Sequence, residues 1–469
     1  MTHAPLDAIE SPPPAGALTP SVVDRVLGVV TQVRPGEGVT ALLLAAALFL
    51  LLLAYYIIKP VREALILQHP TGAEYKSYLG AAIAVLLLFV VPAYAALSDR
   101  LPRNRLVVSV TLFFSLHLVL FYAASQLPGL SDSLLLSLGF FVWVGIFNMM
   151  LVAQLWAFAN DVYDKERGER LFVVIGLGAS IGAIAGGSVD ALLSSSFDVF
   201  EMLLVAAVAL VGVALICELV HRRESRRSAR LVDAPPVDPT APPAAIVRKG
   251  AFRLVLRERY LSLIAAFSLI FTFVNTNGEY MLGKLIKESA VAEAAAGGSE
   301  VLRRLISEEY RRFFLFVNVL SLVLQFFVVS RVVRRAGIAR AFFVLPLIAL
   351  VDGLAVTAVP VLAVIFVGKV AENSTDYSLN NTLRQMLWLP TTREMKYKAK
   401  QAVDTFFVRM GDVASGGWVF VAASVLGLGV RAFAITNTLL VLVWLWLAWA
   451  IVRAQPVLAQ PALVKSGEA

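Results

Sequence analysis

The sequence predicts an all-α polytopic membrane protein of about twelve transmembrane helices in two similar six-helix halves. The first observation behind this is composition: 59% of residues are hydrophobic and 16% charged, with a mean hydropathy of +0.78. Soluble domains sit at roughly 45–50% apolar and about 25% charged. The second is spacing. The apolar residues gather into runs of about twenty, long enough to cross a hydrocarbon core about 30 Å thick at about 1.5 Å per residue. The third is that the second half of the chain echoes the first.

The first six runs lie at 40–58, 77–97, 106–125, 134–159, 171–193 and 200–220, and the second six at 261–281, 312–333, 339–358, 360–383, 403–427 and 430–452. Five segments follow: a tail (1–39), a six-helix bundle (40–220), a linker (221–260), a second bundle (261–452) and a closing tail (453–469). The tail opens MTHAPLDAIESPPPAGALTP, with acids and prolines where a signal peptide would have basic and apolar residues. From Ser21 to Val33, the residues Val22, Val23, Val26, Leu27, Val30 and Val33 share one helical face, which predicts a short helix lying at the membrane interface. The linker carries HRRESRRSAR and DAPPVDPTAPP, which read as a flexible connection.

A net charge of +8 by itself would fit nucleic acid, but its placement in short loops between apolar runs reads as membrane topology. The expected partners are the lipid bilayer and a small-molecule anion, with no nucleic acid; the oligomeric state is not legible. Arginines cluster after run two (Arg100, Arg103, Arg105), in the linker (Arg222, Arg223, Arg226, Arg227, Arg230) and after run eight (Arg331, Arg334, Arg335, Arg340). Those loops, and with them both termini, are expected in the cytoplasm of a bacterial inner-membrane protein. The long loop between runs seven and eight mixes Lys284, Lys287, Arg303 and Arg304 with Glu288, Glu293, Glu300, Glu308 and Glu309 and carries little signal.

The single cysteine, Cys217, excludes an internal disulfide, and the four histidines show no metal-ligand spacing. No GxxxxGK[ST] loop is present and no activated nucleophile set is evident, so neither an enzyme nor a cofactor is expected. The glycines Gly176, Gly178, Gly182, Gly186 and Gly187 follow no strand and read as a surface for close helix packing.

Charges inside the apolar runs carry the functional signal, because each costs about 2.5–3.5 kcal/mol at mid-membrane. Run ten places Lys369, Glu372, Asp376, Asn380 and Arg384 on one helical face. That stripe reads either as the wall of an aqueous cavity or, in part, as a self-neutralising Lys369–Glu372 pair. Run one ends YYIIKPVREALIL, with Lys59, Arg62 and Glu63 on the side of Tyr55; an interfacial anchor and a functional role fit equally. Run seven ends with Thr272, Asn275 and Glu279 on one face. Aligning the halves through Leu65–Ile66 and Leu285–Ile286 sets Lys59 opposite Glu279, which predicts a pair across the cavity. Run eleven carries Asp404, Arg409 and Asp412, of which the last two are spaced to pair.

The loop SDRLPRNR resembles the D-R-x-x-R signature of the major facilitator superfamily, and repeated six-helix halves are that class's architecture. Asp99, Arg100, Arg103 and, in the second half, Arg334 are the corresponding gating candidates. The segments LWAFANDVYDKERGERLFVVIGLGASIGAIAGG and ENSTDYSLNNTLRQMLWLPTTREMKYKAKQAVDTFFVRMGD, with the PGE at Pro35 to Glu37, are similar to the ATP:ADP antiporter family over about 35–455. The resemblance implies exchange of nucleoside triphosphate for diphosphate. It implies functional charges at Lys59 or Arg62, at Asp161 in the FAND stretch, at Glu279 and at Arg384 or Lys400. The chain departs from the family pattern where Asp161 replaces a Glu and where NNTLRQM replaces a D-P-T-K-E-M run.

The expected function is exchange of nucleotides or related phosphates by alternating access. Cations Lys59, Arg62, Arg384 and Arg409 would attract phosphate, and Asp161, Glu279, Glu372 and Asp376 would pair with cations in the empty site. A proton-coupled carrier of another organic solute and a non-transporting membrane receptor are the alternatives.

Overall fold

A computed structural model of the chain describes residues 21–28, 33–98, 100–163, 165–193, 196–230, 248–294, 298–388, 391, 395 and 399–458. Each predicted apolar run becomes helical. In the first half these are α2 (Gly38–Leu67), α3 (Gly72–Ser98), α4 (Arg103–Ser125), α5 (Leu134–Val162), α6 (Lys165–Leu193) and α7 (Met202–Arg230), preceded by the short α1 (Val22–Leu27). After α8 (Arg248–Arg257), the second half runs through α9 (Arg259–Ala294), α10 (Gly298–Val323), α11 (Ser330–Ala341), α12 (Val344–Ala358), α13 (Leu362–Thr375), α14 (Asn381–Met386), α15 (Lys400–Ala402), α16 (Val408–Val419) and α17 (Val430–Leu458). Among the described residues, nine helices are long and apolar enough to cross a membrane, and α11 with α12, bent by 72°, makes a tenth. The 27-residue α3 and the continuous helix from α13 through α14 complete six plus six.

Among the described residues, π-helical turns interrupt the second half at Leu324–Val329, Asp376–Asn380, Val403–Phe407 and Phe420–Val425. Such turns shift a helical face by one residue and concentrate at functional sites.

The glycine spacing on α6 has the packing role its pattern predicts. A Cβ at Gly178 would meet the Ala45 carbonyl oxygen at 2.2 Å, at Gly182 that of Phe49 at 2.2 Å, and at Gly186 that of Leu53 at 2.6 Å. Glycines four residues apart therefore let α6 lie against the backbone of α2, which buries Leu44, Leu48 and Leu51. In the second half, Phe267 stacks on Phe342 at 4.6 Å beneath Trp444, closing a core between α9 and α17. Cys217 is fully buried in α7.

The halves meet at one end. Tyr78 and Ser424 hydroxyls are hydrogen-bonded at 2.7 Å, the Asn318 amide donates to the Ala183 carbonyl at 3.4 Å, and Tyr280 donates to Glu74 at 3.0 Å. Arg303 bonds Gln68 and Asp132, and Lys287 bonds the His69 and Pro70 carbonyls. Except for Asn318–Ala183, which lies at the middle of α10 and α6, these sit where α2 ends at Leu67 and α3 begins. Arg409, whose guanidinium reaches Met149 in α5, is a second exception. At the opposite, Gly38 end, the described ion pairs stay within a half: Glu37 binds Arg167 and Arg170, and Arg167 binds Glu224.

Three expectations are corrected. The loop between runs seven and eight is largely helical: α9 is 36 residues long, about 54 Å, and α10 begins only four residues after it ends. Both extend beyond a bilayer core; Glu288, Glu293, Glu300, Arg304 and Glu308 are exposed on them, whereas Arg303 is buried. The amphipathic helix does not run from Ser21 to Val33; it ends at Leu27. There the Asp24 carboxylate accepts N–H groups of Gly36 (3.0 Å) and Gly38 (2.8 Å), folding the chain back onto the start of α2. Burial opposes the Asp24 charge, but these amides and Ser21 hold its pKa down at about 2, against an ordinary 3.8. The linker's flanks are helical, since α7 continues to Arg230 and α8 occupies Arg248–Arg257. The Pro-rich stretch DAPPVDPTAPP lies outside the described residues.

Candidate functional site

The closed end is held by charges buried between the halves. Lys76 on α3 places its Nζ 2.9 Å from Glu63 on α2 and 3.5 Å from Glu279 on α9, and donates to the Tyr310 hydroxyl of α10 at 3.1 Å. Arg62 bonds its neighbour Glu63 and lays its guanidinium over Phe141. Glu279 also accepts the Asn373 amide of α13 at 3.0 Å. Five helices, α2 and α3 of one half and α9, α10 and α13 of the other, thus converge on two carboxylates.

Beside this network lies Lys59. It is 9% exposed, its Nζ 3.8 Å from the Phe314 ring centroid and 5.3 and 5.7 Å from those of Tyr56 and Tyr55. Among the described residues it makes no ion pair. The predicted Lys59–Glu279 pair is therefore a correction: Lys76 takes the carboxylate, because it enters from α3 directly between Glu63 and Glu279. The cluster holds three cations, Lys59, Arg62 and Lys76, against two carboxylates. Cation–π contact returns about 0.5–2 kcal/mol, whereas burying an ion costs several kcal/mol, so an anion at Lys59 would be strongly favourable.

A second cluster lies within the C-terminal half. Lys369, fully buried, donates to Asn275 and to Glu372, both at 2.9 Å. The self-neutralising pair anticipated from its spacing is thus made. Asp376 accepts from Asn380 at 2.7 Å inside the π turn. Arg384 interacts electrostatically with Asp376 and also faces Asp404 at 3.7 Å and the Phe271 ring. Arg409 pairs with Asp412 at 2.9 Å, and Asp412 accepts from Thr276. Lys400 bonds Gln385 and Asp404.

Asp161 lies exposed near the Val162 end of α5, away from both clusters. Of the gating candidates, Arg100 and Arg334 are exposed at the Gly38 end, Arg103 starts α4, and Asp99 lies outside the described residues. Sequence reasoning missed Lys76, Tyr310, Asn373 and Asp352. Lys76 stands one residue before the second apolar run and reads as a loop cation. Asp352 is a lone acid in the middle of run nine, and that isolation is itself a signal.

The geometry describes a two-half carrier, and comparison with known proteins agrees. A model of the Major Facilitator Superfamily matches residues 44–388. The chain belongs to that superfamily. Among its relatives, this major facilitator is 22% identical to ADP,ATP carrier protein 1 of Chlamydia trachomatis, over 83% of this chain and 84% of that one. It is 24% identical to ADP,ATP carrier protein 5 of Rickettsia bellii over 59% of each. In fold it resembles a solved nucleoside transporter with a TM-score of 0.61 at 12% identity, covering 88% of this chain and 99% of that one. The chain is thus a multi-pass membrane protein of transporter type and a divergent relative of the ADP,ATP carriers.

Proposed function

We propose that this major facilitator exchanges anionic phosphates of the nucleotide class by alternating access of the halves 40–220 and 261–452. The observation that carries the reading is Lys59, a buried cation in an aromatic cage with no ion pair among the described residues. The names of its Chlamydia and Rickettsia relatives support the nucleotide class. A phosphate arriving at Lys59 supplies the missing counter-charge and competes with Glu63 and Glu279 for Arg62 and Lys76. Freed of those cations, the carboxylates no longer hold the Leu67 end closed, and the halves rock. Without substrate the cluster reverts to the closed network, so net flux without exchange is suppressed.

Orientation follows from the arginine clusters, which all lie at the Gly38 end. That end is assigned to the cytoplasm of a bacterial inner membrane, together with both termini, and the Lys76 network to the outside. Arg100, Arg103 and Arg334 are assigned to closing the cytoplasmic end in the alternate conformation, and Arg384 and Arg409 to the phosphate path leading there. Asp161 is assigned to the cytoplasmic mouth of that path.

A thermal-shift screen in detergent tests the reading. Ligand at a hundred times its Kd stabilises the folded state by about 2.7 kcal/mol. Nucleoside di- and triphosphates should raise the unfolding temperature of the wild type and not of Lys59→Ala. Stabilisation by uncharged solutes alone, or equal shifts in both proteins, rejects a phosphate site at Lys59.

A further inference from the structure

Asp352 lies at the middle of α12 and is 7% exposed. Its carboxyl group packs against the backbone of Gly368, where an added Cβ would meet its Oδ1 at 1.7 Å. One turn further along α13, on the helical face that Gly368 turns toward Asp352, is Glu372, also buried. Among the described residues, the buried Asp352 Oδ1 has no hydrogen-bond donor. Glu372 already accepts the Lys369 ammonium at 2.9 Å.

Two carboxyl groups can share a hydrogen bond only if one of them carries a proton. Lys369 neutralises a single negative charge. If both acids were ionised, the second charge would be buried beside a like charge with nothing to offset it. We propose that Asp352 and Glu372 form a proton-binding pair, Asp352 carrying the proton and donating it to the ionised Glu372. One proton and one ammonium then leave the triad neutral.

The pair is placed to communicate. Lys369 also bonds Asn275 on α9 and packs against Gly278, one residue from Glu279. Asn373, beside Glu372, donates to Glu279 itself. The other titratable groups facing the pair are Asp376 of the π turn and Glu279 of α9; α17 offers Thr438 at Gly353, which does not titrate. A cavity of about 10 Å³, lined by Asn275, Glu372, Asp376 and Trp444, adjoins the pair and is of the size of one water. Proton occupancy would therefore bias the α9 contacts that close the carrier. This rests on the transport reading only for its consequence; the proton site itself does not.

Infrared spectroscopy of the purified full-length protein at neutral pH tests it without any substrate. The wild type should show a protonated-carboxyl C=O band that Asp352→Asn removes and Asp376→Asn retains. Where Asp352→Asn fails to accumulate, Asp352→Glu should keep the band and move its frequency. A band unchanged in Asp352→Asn or Asp352→Glu, or no such band in the wild type, overturns the proposal. Absence of nucleotide exchange, by contrast, leaves this spectrum as expected and rejects only the substrate reading. A pH profile of transport supplies the functional arm: Asp352→Asn should flatten it, and an unaltered profile contradicts coupling.

Discussion

The Lys76 ammonium stands 3.5 Å from the Glu279 carboxylate, and this contact joins α3 of one half to α9 of the other. Since Lys76 also holds Glu63 at 2.9 Å, its removal leaves Glu279 without its described ion pair and Glu63 with Arg62 alone. Breaking a buried pair costs about 3–5 kcal/mol. Lys76→Met should lower the unfolding temperature in detergent by several degrees. Lys76→Met combined with Glu279→Gln should cost less than the sum of the two single changes, since they share one contact. Strict additivity in that cycle would show the pair to be inconsequential.

Weakening the same contact should open the Leu67 end. In a Cys217→Ser background, a cysteine placed at Ser424, whose hydroxyl meets Tyr78, reports on that end. Glu279→Gln should speed its labelling by an impermeant maleimide added outside intact cells several-fold. Equal rates with and without Glu279→Gln mean that something else closes that end.

The α6–α2 contact makes a steric prediction. Gly182→Ala puts a methyl group 2.2 Å from the Phe49 carbonyl oxygen, a backbone atom that cannot turn aside. Overpacking of this kind costs about 1–3 kcal/mol. Gly176→Ala is the control, because nothing lies within 4 Å of that position. Loss of thermal stability should appear in the first variant alone.

The fold-back at Asp24 has a defined pH range. Its folded pKa, about 2, lies below the ordinary 3.8, so the fold favours the charged form. Its stabilisation is complete above about pH 4 and is lost as pH falls through 2. Hydrogen exchange at the Gly36 and Gly38 amides should thus keep its protection from pH 7 to pH 5, once corrected for the intrinsic rate. Asp24→Asn should lose protection across that whole range.

Helix positions and the two-half arrangement were legible because a bilayer demands runs of fixed length and apolarity. The glycine spacing on α6 was legible for a related reason: only close helix approach uses small residues in register. Local pairs such as Lys369–Glu372 follow from i, i+3 spacing alone. The Lys59–Glu279 expectation failed because repeat symmetry says which residues are equivalent, not which third residue stands between them. Lys76 comes from a different helix, and no periodicity within α2 or α9 points to it.

The central claim is that Lys59 binds the transported phosphate. Its direct test is uptake of radiolabelled ATP into proteoliposomes, either loaded with ADP or empty, for the wild type and for Lys59→Ala. The wild type should take up label only into loaded vesicles, and Lys59→Ala should lose at least about tenfold, corresponding to about 1.4 kcal/mol of lost binding. Exchange by Lys59→Ala at the wild-type rate would contradict the claim and reduce Lys59 to a packed residue of the aromatic cage.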